Sequence, residues 1–346
     1  MNKNSKYVCE KPFIYIETHI DGDITICCPA YVNNYAIGNF FEATTFEEIW
    51  NGEKAQEFRA SVIDSSYKYC NMDLCTTRIE NEKQKSEFST IAKNYPIEIK
   101  FCHDRQCNAR CTICRDEQIY TDKKTEEKLD KLIDTFFLPM LKDAKLVWLN
   151  GAGEFFASKH MRKLAKAVAA NYPNIKFGIH SNGLFFDKKN CDELGITDKI
   201  VLAEISIHAA TKKTYNKIVR DGNFDKVIKN IHWLSNLKQK NQIKEINLDF
   251  VITAINYKEM RSFQKLANKL NCKTIFTTYR PWDSKLASRY NEIAIFEPTH
   301  PDYNKFRKHL NSKLFLSQNC KLQNSLYEIV KEETAKKKSF IDKWFK

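Results

Sequence analysis

Three cysteines in the run Cys107-Asn108-Ala109-Arg110-Cys111-Thr112-Ile113-Cys114 constrain this chain more than any other feature. They are spaced Cys-x3-Cys-x2-Cys and follow directly on a short apolar segment, 97–101. Three thiolates on one loop can hold three corners of a cubane iron–sulfur cluster. With no fourth ligand in the loop, one iron stays open to bind something else. A zinc site normally takes four ligands, often as two Cys-x2-Cys knuckles. Here the first gap is three, no second knuckle is within reach, and His103 is the only nearby histidine. Zinc and chance spacing remain the competing readings of this run.

The rest of the chain bounds the problem. At 346 residues it exceeds one ordinary domain, and with 42% apolar residues it can bury a sizeable core. No run approaches the roughly 18 apolar residues of a membrane span. The polar first ten residues lack the apolar run of a signal peptide, so a cytoplasmic location is expected. In that reducing setting the twelve cysteines read as metal ligands or reactive thiols rather than disulfides. The formal charge of +13 carries little functional weight, because residues 301–346 alone hold eleven Lys/Arg against five Asp/Glu. Solvated lysine-rich helix faces explain such a count, and nucleic-acid binding is not expected.

From residue 96 onward short apolar runs alternate with longer amphipathic ones. Strands are predicted over 96–101, 145–150, 175–180, 200–208, 245–253 and 273–279. Helices are predicted over 122–137, 158–171, 187–194, 211–237 and 257–270. This alternation predicts parallel strands joined by right-handed crossovers, six βα units in an open, partial TIM-like (β/α)6 barrel. Chemistry in βα barrels sits at the C-terminal strand ends, where the three-cysteine loop falls.

The cysteine spacing resembles that of the radical S-adenosylmethionine (SAM) enzymes, in which the open iron of a [4Fe-4S] cluster binds SAM. Other segments fit the resemblance in order along the chain. Gly151-Ala152-Gly153-Glu154 is similar to the family segment that binds the SAM amino group. Asn182 lies in the His-Ser-Asn-Gly turn after the third strand. Ser206 stands where the family often places a serine near the SAM ribose, and Arg220 is a candidate for the SAM carboxylate. Ile113 stands where the family has a residue packing near the adenine.

Residues 1–92 break the βα rhythm. The spacing Cys9-x12-Gly22-x4-Cys27, the run Ile37-Gly38-Asn39 and then Thr45-Phe46-Glu47-Glu48-Ile49-Trp50 with Arg59 resemble the SPASM and twitch auxiliary-cluster domains. The resemblance implies that Gly22 makes a hairpin turn, and that Cys9, Cys27, Cys70 and Cys75 saturate one auxiliary [4Fe-4S] cluster. A structural zinc on the same thiolates is the alternative. The closing pair is Cys70-x4-Cys75, where the family usually has Cys-x2-Cys, and such modules commonly follow the barrel rather than precede it. Thr44 or Thr45 with Glu47 or Glu48 reads as a helix N-terminus.

These readings divide the chain into an auxiliary-cluster α+β domain (1–92), a radical SAM barrel (93–285) and a basic helical extension (286–346). The implied activity is reductive SAM cleavage and hydrogen abstraction by a 5′-deoxyadenosyl radical. The expected outcome is oxidation, cross-linking or epimerisation of a peptide or protein; a sugar-like or other small molecule is the alternative. An external reductant such as flavodoxin or ferredoxin is implied as partner. An iron–sulfur electron carrier and a zinc-binding protein are the non-enzyme alternatives. Candidate acid–base groups or hydrogen donors are His180, His208, Asp249, Tyr279, Cys191, Cys272 and Cys320.

Overall fold

The computed structural model describes residues 6–33, 35–72, 75, 82–149, 152–281, 284–323 and 325–334. In chain order the strands are β1 (Tyr7–Cys9), β2 (Tyr15–Thr18), β3 (Asp23–Thr25), β4 (Gly38–Asn39), β5 (Glu82–Gln84), β6 (Glu98–Phe101) and β7 (Arg110–Cys111). They continue with β8 (Leu146–Leu149), β9 (Lys176–Ser181), β10 (Ile200–Ser206), β11 (Val219–Arg220), β12 (Glu245–Ile252), β13 (Lys273–Thr278) and β14 (Cys320–Leu322). The chain divides into two units: 1–106 with 120–179 and 192–199, and 107–119 with 180–191 and the chain from 200 onward.

In the first unit β6 pairs in parallel with β2 and with β8, and β8 with β9. Ile99, Phe101, Val147, Leu149, Phe177 and Ile179 are fully buried, the period-two burial of strands covered by helices. The predicted helix over 122–137 is α-helical across Lys123–Leu132, capped by Asp122, and then widens into a π turn at Ile133–Phe137. β2 was not anticipated, since the N-terminal region lacks the βα rhythm, yet it adds a parallel strand beside β6.

The hairpin expected at Gly22 joins β2 to antiparallel β3, with φ +93° at the glycine. A Cβ there would stand 2.3 Å from Asn39 Oδ1, so both conformation and space require glycine. At the helix Phe46–Trp50 the predicted N-terminus forms: Thr45 Oγ1 accepts the Glu48 N–H, and the Glu48 carboxylate accepts the Thr44 N–H. Arg59 is fully buried; it donates to Pro12 O, Asn51 Oδ1 and Thr90 O, and its guanidinium lies 4.2 Å from the Trp50 ring centroid. Burial lowers its pKa to about 10, and the three acceptors fix the helix Glu53–Ile63 in place.

In the second unit β12 pairs in parallel with β10 and β13, and β13 with β14. Ile246, Leu248, Phe250 and Ile252 are buried, and Phe250 packs on Phe263 of the helix Met260–Lys269 at 4.8 Å. The opposite face of β12 carries Glu245, Asn247, Asp249 and Val251. A single helix over 211–237 does not form. Lys212–Ile218 and Phe224–Gln239 are separate helices, because Val219–Arg220 extends as β11, Asp221 turns with φ +63°, and Asn223 caps the second helix. The C-terminal extension is helical at Ser284–Ser288, Tyr290–Ile293 and Tyr303–Leu310, and it also supplies β14, too short to read from periodicity.

Candidate functional site

The three-cysteine loop is pinned by its own unit. Cys107 N–H donates to Ile119 O at 3.0 Å, Thr112 N–H to Ile218 O at 2.8 Å, and Cys114 N–H to Cys111 O at 2.9 Å. β7, which contains Cys111, pairs antiparallel with β11. Arg110 grips Asp221 through two N–H···O bonds of 2.6 and 2.8 Å. The broken helix therefore supplies the edge on which the loop is built. Arg115 donates its Nε–H to Cys114 Sγ at 3.4 Å. Burial opposes its charge, but Cys114, Cys107 and Cys111 outweigh burial and hold its pKa above the ordinary value. All three sulfurs act on this one cation, and three thiols on one short loop are a donor set that fits three corners of a cluster.

The remaining candidates in this unit are distributed. Ile113 is buried. Asn182 donates to Asn108 Oδ1 at 2.9 Å and accepts the Leu184 N–H, which ties the turn after β9 to the cysteine loop. Arg220 has Nη1 3.9 Å from Asp116 Oδ1. Ser206 Oγ lies 2.9 Å from His180 Nε2, and Asp249 Oδ2 3.1 Å from the same nitrogen. His208 is buried with φ +58°; its Nδ1 accepts the Val251 N–H at 3.2 Å, and burial lowers its pKa to about 4. Tyr279 is buried and donates to Leu286 O. Cys191 and Cys272 are core residues, Cys272 with its thiol pushed up to about 12 by burial. Cys320 is half-buried in β14, its pKa pushed up to about 11 by the same cause. Among these candidates, His180, Ser206 and Asp249 are brought together.

In the first unit, Gly153 and Glu154 follow β8. Gln106 O accepts the Glu154 N–H at 2.7 Å, and a Cβ on Gly153 would stand 2.0 Å from the same oxygen. The glycine is therefore required by the backbone of the segment leading into the cysteine loop. Glu154 is buried and its carboxylate accepts the Phe156 N–H, while Ala152 is exposed. Gly151 lies outside the described residues.

Cys9, Cys27, Cys70 and Cys75 line one cavity whose other walls include Pro12, Phe58, Val62 and Met72. Burial raises the Cys9 thiol to about 11 and Cys70 to about 12, and lifts Cys27 further; the neighbouring sulfurs add to each shift. Without a cation, burial disfavours the thiolate forms of Cys9, Cys27 and Cys70. A metal reverses that balance, so the donor set fits a tetrathiolate cluster. Sequence reasoning missed Arg110, Asp221 and Arg115; the turn-like Arg-Asp-Gly-Asn at 220–223 was the available signal for the first two.

Among the described residues no helix is long and apolar enough to cross a membrane. Residues 9–76 match SPASM, an iron–sulfur cluster-binding domain, and residues 102–267 match the radical SAM superfamily. Solved structures similar to the chain include TYW1 with a lysine–pyruvate adduct bound, at 16% identity and TM-score 0.36, covering 65% of this chain and 72% of that one. Methylornithine synthase (PylB) is 11% identical, with TM-score 0.35 over 53% of each chain. BtrN in complex with AdoMet and 2-DOIA is 20% identical, with TM-score 0.27 over 44% of this chain and 57% of that one. Curated protein sequences give no match. The radical SAM domain implies a [4Fe-4S] cluster, SAM, a reductant and a substrate, and the SPASM domain implies auxiliary iron–sulfur binding. The chain thus carries a radical SAM domain at 102–267, preceded by a SPASM domain at 9–76.

Proposed function

We propose that Cys107, Cys111 and Cys114 hold the SAM-binding cluster, that Cys9, Cys27, Cys70 and Cys75 hold one auxiliary cluster, and that the enzyme modifies a peptide or protein. The observation that carries this reading is the three-cysteine loop clamped by β11, with Arg115 donating to Cys114 Sγ. When bound, cluster and SAM would supply one-electron cleavage of the sulfonium and hydrogen-atom abstraction from the substrate. The chain's own residues orient and enclose. Arg115 offsets thiolate charge, the Arg110–Asp221 pair fixes the loop, and Gly153 lets the strand end approach the backbone of Arg105 and Gln106. Glu154 is the acceptor assigned to the SAM ammonium, with Ala152, Gly151, Asn182, Ser206, Arg220 and Ile113 as its companions. The SPASM match supports a peptide or protein substrate by family resemblance.

Anaerobic reconstitution with iron and sulfide tests the assignment. Cys107→Ala, Cys111→Ala or Cys114→Ala is expected to lose about four irons and SAM cleavage on dithionite reduction. Cys9→Ala or Cys70→Ala is expected to lose auxiliary iron and keep the SAM cluster. SAM cleavage that survives all three loop substitutions overturns the ligand assignment. Deuterium moving into 5′-deoxyadenosine from labelled small molecules, and never from peptides, overturns the substrate reading.

A further inference from the structure

Three ligand-type side chains of the second unit converge on one strand face without belonging to either thiol set. His180 lies near the end of β9, Glu204 in β10 and Asp249 in β12, and one donor atom from each lies within 4.8 Å of the others. His180 Nε2 is 3.1 Å from Asp249 Oδ2, and its Nδ1 is 4.0 Å from Glu204 Oε2. The strand register makes the arrangement systematic. Glu204 pairs with Asn247 and Ser206 with Asp249, so these four form a two-by-two block on the face of the sheet turned away from Leu248 and Phe250. Neither carboxylate is a surface group: the Glu204 side chain is 27% exposed and that of Asp249 16%.

Two carboxylates and one imidazole nitrogen are donor types that bind divalent transition ions. Asn247 is 5% exposed, and its Oδ1 is buried without a hydrogen-bond donor. A buried acceptor in that state is destabilising unless a ligand satisfies it. Two partly buried carboxylates beside that amide oxygen favour a cation. The imidazole nitrogen in the set favours a first-row transition ion over calcium or magnesium, and two carboxylates balance a double charge. Donors about 2.1 Å from one ion lie up to about 4.2 Å apart, so small side-chain shifts bring the three onto a single ion.

We infer that His180, Glu204 and Asp249 form a divalent transition-metal site, with Asn247 as a supporting oxygen and with none of the cluster thiols among its ligands. Such an ion binds and orients an oxygen-bearing group of a ligand on this face; no redox step is assigned to it.

The test is a manganese(II) titration of the anaerobically reconstituted protein with its clusters oxidised and diamagnetic. The six-line electron paramagnetic resonance signal of unbound manganese is the readout, so the result does not depend on turnover. One ion bound per chain, displaced by zinc, is expected. Glu204→Gln and Asp249→Asn are each expected to weaken binding by more than about tenfold, since even second-shell changes cost about 10–100-fold. Iron content and circular dichroism of each variant show that the fold and clusters are intact, and His180→Asn provides a third, conservative change. Failure to bind manganese at about 1 mM, or binding unchanged in all three variants, overturns the site. Iron counts and SAM cleavage in metal-depleted buffer report on the radical SAM reading separately.

Discussion

His208 holds a left-handed backbone at φ +58° while its ring is buried and its Nδ1 accepts a backbone N–H, so the folded chain keeps the imidazole neutral. Burial lowers its pKa from 6.5 to about 4. Between those values the unfolded chain takes up a proton that the folded chain refuses, so stability falls as the pH drops through 6.5 toward 4. From pH 7 to pH 5 the loss from this group is about 2 kcal/mol. His208→Asn keeps an acceptor and tolerates the left-handed backbone. Its urea midpoint is expected to fall less steeply than that of the unaltered protein over this range. Parallel pH profiles sink this account. At the same scale, sequence reasoning marked His208 as a strand-end candidate for acid–base work. Its burial depends on β12 and on Asn256, whose side chain donates to His208 O from 48 positions away.

Among elements, the strand end at 151–154 shows how a weak motif acquires a reason. Two glycines around one small residue signal a close backbone approach, and at Gly153 the approach is to the carbonyl of Gln106. Gly153→Ala places a methyl against backbone that has no room to yield. The expected result is folded protein with SAM cleavage reduced by about 100-fold, the scale of a misplacement of roughly an ångström. Gly195→Ala is the contrast. It has φ +67° but no atom within 4 Å of the added methyl, so it costs about 1 kcal/mol of stability and leaves cleavage intact. Equal activity in the two variants contradicts the close-approach argument. The helix break at 219–223 was the element least legible beforehand. Helical periodicity continues on both sides of it, and only pairing of β11 with the cysteine strand makes extension there worthwhile.

At the scale of the molecule, the C-terminal region closes an edge of the second unit. β14 pairs with β13, Phe315 meets Phe276 at 5.7 Å, and Gln323 Oε1 accepts both the N–H and hydroxyl of Thr278 at 2.9 Å. Ending the chain after Asn311 removes all three and bares the edge of β13. Loss of one buried phenylalanine alone costs about 3–5 kcal/mol, so a fall in Tm on the order of 10 °C, with aggregation, is expected. A truncated protein that melts at the original temperature contradicts this role.

The sequence by itself determined the chemistry and the α/β rhythm. Thiol spacing is local along the chain, and so are the two-residue and 3.6-residue periods that marked β6, β8, β9, β10, β12 and β13. The hairpin at Gly22 and the helix start at Thr45 were legible for the same reason, since each is set within a few residues. Only the tertiary structure decided which histidines are buried, and that β2, β11 and β14 exist at all. β11 and β14 carry too few side chains to show a period, β2 lies outside the βα rhythm, and the hydrogen bonds of all three go to partners far along the chain. The block formed by His180, Glu204 and Asp249 likewise comes into being through register between strands, which no single segment encodes.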